Sequence, residues 1–278
     1  MADPVRKITA PRQEAPLRRL LDEEPGMTLL RWVKGRDGEL RQVEMPLTPE
    51  RFLNCQVGDQ LAQGQRHFDT VAEIFAVLKE HFRGDPDVLV AGDMKHTLAP
   101  RLPTPGPDIS VTRGVKIKND AVRYSFRVKR EGVRPCLILE VVSPRDPKIR
   151  QVDLKDKVEI YERAGIQEYI IVDWTEEDLP FRLLGYRLDA SGHYRSIEPD
   201  AAGRLFSETT DLWFQSSPDG ERIFVFTSSG RRLLNLEEQE EAREAAEQKA
   251  AREAEAREAA EAEIARLRAE IERLRGDR

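Results

Sequence analysis

Apolar positions along the chain follow two rhythms, and the switches between them mark the elements. Over residues 67–82, Val71, Ile74, Phe75, Leu78 and Phe82 recur at steps of three and four, which predicts an amphipathic helix capped by Asp69 or Thr70. Residues 87–92 read as a strand, followed by a proline-rich loop over 100–107 and a second apolar run from Asp108 to Val111. Residues 137–142 form an apolar run broken only by Glu140, the pattern of a central strand covered on both faces. Helical spacing returns over 153–164 and stops at Gly165, a residue suited to a left-handed C-terminal cap. The buried run 168–173 comes next, and strand–helix–strand at this spacing predicts a crossover between parallel strands. Segments 181–188 and 193–197, joined by Asp189-Ala190-Ser191-Gly192, read as a hairpin, and 222–226 with 231–234 as another.

The two ends differ from this middle. Residues 1–45 are rich in Pro, Arg and Glu and predict an extended or partly ordered arm. From 236 the composition becomes Ala, Glu and Arg without proline or glycine until Gly276, which predicts one long helix. Ile264, Leu267, Ile271 and Leu274 step by three, four and three, the seam of a coiled coil. The upstream seam is Ala, Arg and Glu, so a single solvated helix held by i,i+4 Glu/Arg pairs is the other reading. The expected organisation is an arm over 1–45, an α/β domain over 46–235 and a helical tail over 236–278.

The 278 residues suffice for one core with appendages. The apolar runs are too short to cross a membrane, and residues 1–7 lack the hydrophobic stretch of a secretory leader. Cys55 and Cys136 show no zinc-like spacing and read as reduced thiols, so a cytoplasmic location is expected. The net charge of −6 belongs mainly to the tail: residues 237–278 hold 14 acids against nine Lys/Arg, leaving −1 for the rest. The acidic balance therefore says little about what the body binds. Phosphate-binding glycine loops, a GxSxG elbow and HExxH are missing, which leaves nucleotide-driven, hydride-transfer, serine-hydrolase and zinc-protease chemistry without residues.

Candidate chemistry comes from three positions. Asp108 and Glu140 are carboxylates set in apolar runs, where an unpaired charge costs several kcal/mol to desolvate; a metal ion would compensate both. At about 100° per residue, Leu154, Val158 and Tyr161 form the buried stripe of the following helix. Lys157 lies on or beside that stripe with Asp153 one turn earlier, while Lys155 lies on the polar face. Lys157 can thus point at the strand carrying Glu140 and neutralise charge developing at phosphorus. Each position also has a structural reading: an Asp153–Lys157 helix salt bridge, a backbone-bonded Glu140, an Asp108 that begins a strand. His67 falls on the apolar side of its helix if the helix starts that early, where it can approach the site, but a satisfied core histidine is the favoured expectation; Glu73 is expected to face solvent. Residues 113–134 carry eight Lys/Arg against Asp120 and Glu131. With Tyr124 and Phe126 alternating among Arg123, Arg127 and Lys129, the segment reads as a phosphate-tracking hairpin or loop, or else as a charge-protected edge strand.

Gly106-Pro107-Asp108-Ile109-Ser110-Val111, Leu139-Glu140-Val141-Val142-Ser143-Pro144 and Asp153 through Lys157-Val158-Glu159-Ile160-Tyr161 resemble the Uma2-type restriction endonucleases of the PD-(D/E)xK nuclease superfamily. The segments Ala164-Gly165-Ile166-Gln167-Glu168-Tyr169 and Val172-Asp173 extend the likeness, which covers roughly residues 50–235. The resemblance implies a restriction-endonuclease-like mixed sheet with flanking helices and Mg²⁺-dependent (or Mn²⁺-dependent) phosphodiester hydrolysis, with DNA as the expected substrate. It makes Asp108 and Glu140 the metal ligands. A lysine two residues after the glutamate would fall at Val142; in Uma2-like proteins it has moved to the next helix, where Lys157 stands. A homodimer is expected, with the tail contributing to it. The alternative is a catalytically silent module that keeps the fold and binds nucleic acid or protein.

Overall fold

The computed structural model describes residues 27–61, 64–116, 123–142, 146–174 and 181–276. At its centre six strands lie in the order β11-β10-β9-β8-β6-β4. These are β4 (Val88–Gly92), β6 (Ile109–Arg113), β8 (Leu137–Val141), β9 (Glu168–Asp173), β10 (Arg182–Leu188) and β11 (Tyr194–Ser196). β8 and β9 are parallel in the register Leu137↔Glu168, as the crossover predicts, and the other pairs are antiparallel.

Strand alternation divides the side chains between two cores. Ile109, Val111, Leu137, Leu139, Val141, Ile170 and Val172 face one side. There α2 (Gln65–His81) supplies Ile74, Val77 and Leu78. Beyond α2 stands a second antiparallel sheet, β12 (Leu205–Ser207), β13 (Leu212–Ser216), β14 (Ile223–Thr227) and β15 (Arg232–Leu233). α2 lies against β4, β8 and β14, so it fills the space between the two sheets. On the other side Ile138, Val142, Tyr169 and Ile171 pack with Ile160, Tyr161 and Ala164.

Three helical pieces make up the crossover: α4 (Pro147–Gln151), a π-helical turn (Val152–Asp156) and α5 (Lys157–Ala164). α4 starts well before the predicted 153, because Asp146 caps it through the Lys148 and Ile149 N–H groups and Pro147 occupies the first turn. α5 ends where expected: Gly165 takes φ 71°, and the Ile166 N–H reaches back to the Tyr161 carbonyl.

Other expectations need correction. Asp69 and Thr70 do not cap α2, whose N-cap is Gly64; Asp69 accepts from Gln65, and Thr70 donates to the Arg66 carbonyl inside the helix. Glu73 is not left in solvent. It pairs with Arg222 at 3.0 Å and accepts from Asn235. Within the stretch read as an arm, β1 (Thr28–Lys34) and β2 (Leu40–Pro46) form a hairpin, with β3 (Gln60–Leu61) on its other edge. Leu29 and Leu47 pack with Ile149, and α1 (Pro49–Leu53) contributes Phe52; residues 1–26 lie outside the described residues. β12 and β13 carry no strong alternation of their own. They are fixed by partners, since buried Glu168 accepts hydrogen bonds from Ser207 and Thr209 at the start of the second sheet.

The tail is α6 (Leu236–Gly276), 41 residues, or about 60 Å at 1.5 Å per residue. Asn235 and Glu238 bond each other's backbone N–H, a reciprocal cap, and Glu238 also pairs with Arg222 and Arg232. The first turn is thereby tied to the body. Ile264, Leu267 and Ile271 are about half exposed.

Candidate active site

The site grows out of strand register. Ile109 stands opposite Leu139, so one step further along the antiparallel pair Asp108 stands opposite Glu140. By alternation Glu140 points away from the α2 core, towards α5, while Asp108, just before β6, meets the start of α2 at His67. The backbone locks them together: Asp108 N–H donates to Glu140 Oε2 at 3.2 Å, and Val141 N–H donates to Asp108 Oδ2 at 2.7 Å.

α5 completes the cluster. Lys157 Nζ lies 2.8 Å from Glu140 Oε1 and 2.7 Å from Asp153 Oδ1. All three side chains are buried; Lys157 is 1% exposed. Lys155 is exposed on the opposite face, as its helical phase predicts. The widened turn matters here, because the Lys157 N–H reaches back five residues to the Val152 carbonyl, and Tyr169 donates to the Asp153 carbonyl. Turns of this type recur at functional sites. Nζ is close to both carboxylates but poorly aligned for hydrogen bonding, which leaves Nζ and Asp153 Oδ1 buried without such a partner among the described residues. The Phe52 ring covers the ammonium at 4.3 Å, a cation–π contact.

Two further groups belong to the site although periodicity assigned them to the core. Tyr161 donates its hydroxyl to Glu140 Oε1 at 2.8 Å. His67 Nε2 lies 3.3 Å from Asp108 Oδ2, so it is buried at the site rather than satisfied elsewhere in the core. Helical phase already put both residues on inward faces. For His67 an approach to the site is the less favoured alternative from sequence; the Tyr161–Glu140 contact is not visible there, because the partners are distant in sequence.

Electrostatics follow from this crowding. Burial, opposed by Lys157 but reinforced by Asp108 and Asp153, pushes Glu140 up to about 8. Burial also raises Asp153 despite Lys157. Burial acts on Asp108 in the same sense, but the hydrogen bond and charge of His67, with Lys157 and the Val141 N–H, outweigh it and hold the group below its usual value. Burial lowers His67, but Asp108 overrides it and raises the imidazole. Lys157 is raised by its carboxylates against burial and stays charged.

The cluster therefore holds more buried acid than Lys157 compensates. Asp108 Oδ1 is engaged by none of the described residues, since both contacts fall on Oδ2. Such a donor set fits a hard divalent cation that takes two carboxylates and fills its remaining positions with water or phosphate oxygens. Soft ligands are missing: burial pushes the Cys55 thiol up to about 11, so it stays protonated. Among the described residues no three His, Cys, Asp or Glu side chains form a ready-made metal cage.

The basic segment is arranged differently from a simple hairpin or loop. β7 (Phe126–Arg127) pairs in parallel with β5 (His96–Thr97) and runs into α3 (Val128–Glu131). Arg123 is turned inward, where it pairs with buried Glu131 at 3.3 Å. Phe126 is buried and stacks on His96. Arg127 and Lys129 are exposed, as is Tyr124 at 75%. Lys118 and Asp120 lie outside the described residues, as do Ser143 and Pro144. Asp173, at the end of β9, pairs with Arg150 and Arg182.

A family model described as "Uma2: Putative restriction endonuclease" matches residues 57–247. Among solved structures, one titled a putative nuclease belonging to DUF820, from Anabaena variabilis ATCC 29413, aligns with a TM-score of 0.40 and 17% identity, covering 68% of this chain and 89% of that one. No curated protein matches the chain. Among the described residues no helix is long and apolar enough to cross a membrane.

Proposed function

Since this chain belongs to the Uma2 family, whose model spans 57–247, we propose that it is a Mg²⁺-dependent nuclease that hydrolyses phosphodiester bonds in DNA, with Mn²⁺ as a substitute. The observation that carries this reading is the cluster of partly exposed Asp108 with buried Glu140 and Lys157, gathered at the ends of β6, β8 and the start of α5. Asp108, through its open Oδ1, and Glu140 would hold the metal. When bound, the ion would acidify a water and shield the scissile phosphate. Lys157, kept charged by its carboxylates, neutralises charge gathering on the phosphoryl oxygens and orients the nucleophile. His67 and the Val141 N–H fix the Asp108 carboxylate, and the Tyr161 hydroxyl fixes that of Glu140. Each holds its partner in one rotamer before substrate arrives. Exposed Arg127 and Lys129 supply phosphate contacts, whereas Arg123 supports that surface through Glu131.

The test is incubation of purified protein with duplex DNA, single-stranded DNA and RNA in Mg²⁺, Mn²⁺ or EDTA. Metal-dependent cleavage that disappears in Glu140→Gln is the expected result. Binding without cleavage under every metal condition would reject the nuclease and favour the silent binding module.

A further inference from the structure

Near the catalytic cluster lies a cavity that shares only Arg127 with the phosphate contacts proposed above. It encloses about 410 Å³ between the β1–β2 hairpin and the β5–β7 pair, with Arg31, Trp32, Gln56, Val57, Lys95 and Arg127 among its lining. This size falls within the roughly 300–1,000 Å³ span of small-ligand sites. Its surface is unusual for a folding element: the Trp32 indole is 53% exposed and Val57 60% exposed. The charges are uneven. Arg31 is neutralised by Asp59, with Nε at 2.7 Å from Oδ1. Among the described residues Lys95 and Arg127 have no acidic partner. An open indole face beside two cations without acidic partners, Lys95 meeting only the Gln56 amide at 3.5 Å among the described residues, suits a base that stacks and a phosphate that pairs. An apolar peptide would leave both cations uncompensated.

Distance ties the cavity to the cluster. Phe52 covers Lys157, and Gln56 follows four residues later, so their Cα atoms are at most about 14 Å apart. Cys55, between them, lies in the field of both Lys95 and Lys157. Arg31, Trp32 and Gln56 precede the family-matched residues 57–247, so this feature belongs to the chain's N-terminal hairpin rather than to the matched region alone.

We propose that the cavity takes one unstacked nucleotide of the bound strand, its base on Trp32 and its phosphate between Lys95 and Arg127. That the strand is also the substrate rests on the nuclease reading above. Binding is tested without catalysis, by fluorescence anisotropy of labelled (dT)12 and of a 12-base-pair duplex in EDTA. Trp32→Ala should weaken (dT)12 binding at least tenfold and duplex binding clearly less, and Trp32→Phe should restore most of the loss. Lys95→Gln with Arg127→Gln should reduce the slope of log affinity against log salt by about 1.4. Because Trp32, Lys95 and Arg127 lie at the surface, melting curves should coincide with that of the parent. The proposal fails if the parent does not bind (dT)12, if Trp32→Ala binds it within twofold of the parent, or if the variant loses duplex and single strand equally. Cleavage in Mg²⁺ is scored separately. A parent that cleaves with an indifferent Trp32→Ala variant overturns the pocket alone, and Trp32-dependent binding without cleavage overturns the nuclease alone.

Discussion

Glu140 illustrates what the site costs the metal-free protein. Its value is raised from 4.5 to about 8 in the fold, so the stability it contributes is fully present below about 4.5 and is lost as pH rises through about 8. The melting temperature measured in EDTA should therefore fall between pH 5 and pH 8. Glu140→Gln, which cannot ionise, should flatten that fall and melt higher at pH 8 while abolishing cleavage. Asp108→Asn should likewise lose metal binding in calorimetric titration; unchanged titration in both variants would remove them as ligands. Lys157→Ala should lower turnover by about 10²-fold or more, on the scale of losing one preorganised donor, against less than twofold for exposed Lys155→Ala. A second residue-scale device is structural. His96 is fully buried, with Nδ1 on the Met94 carbonyl and Nε2 on Ser110 Oγ, and burial lowers it to about 4. It must gain a proton on unfolding, so stability falls as pH drops below about 6.5, by about 2 kcal/mol between pH 7 and pH 5. Urea titrations of His96→Asn should show a correspondingly smaller loss over that interval; equal losses would mean that the imidazole is already charged in the fold.

At the scale of elements, the segment after β6 separates two uses of positive charge. Arg123 and Glu131 are both buried, so Arg123→Gln strands a carboxylate and should cost about 3 kcal/mol. Arg127 and Lys129 are exposed, so neutralising them should leave stability unchanged while weakening DNA binding and flattening its salt dependence. Denaturant curves and salt-dependent binding measured on the same variants separate the two outcomes; equal stability loss in all three would erase the distinction. The π-helical turn likewise does more than join two helices. It precedes Lys157 directly and keeps Asp153 and Lys157 turned towards β8, one element serving both the crossover and the cluster.

For the whole molecule, the second sheet, α2 and the start of α6 are one packed unit, joined by Glu73, Arg222, Arg232 and Glu238. Beyond that first turn the described side chains of α6 are largely exposed, with Ile264, Leu267 and Ile271 on its surface. A homodimer that pairs these positions would bury them. Light scattering at tens of micromolar should show a dimer for the full chain and weaker association for a chain ending at Ala250. That end point keeps Glu238 and its partners. A monomeric full chain would assign the helix to another partner.

Much of this was legible in the sequence. The central strands, the parallel crossover, the Gly165 stop and the long helix all follow from local periodicity. Alternation and helical phase alone put Glu140 inside a strand and Lys157, not Lys155, on the inward face. Other features had no local signal. β12 and β13 depend on hydrogen bonds to Glu168, and the β1–β2 hairpin gains its packing from Ile149, more than a hundred positions away. Arg123 and Arg127 are indistinguishable as sequence, yet one meets a buried carboxylate and the other meets water. His67 reads as any inward histidine until the register of β6 sets Asp108 against it. Periodicity fixes which face a side chain takes, because that depends on neighbours three or four residues away. What waits at that face is decided by long-range packing, which brings charges together from segments whose separation no local pattern encodes.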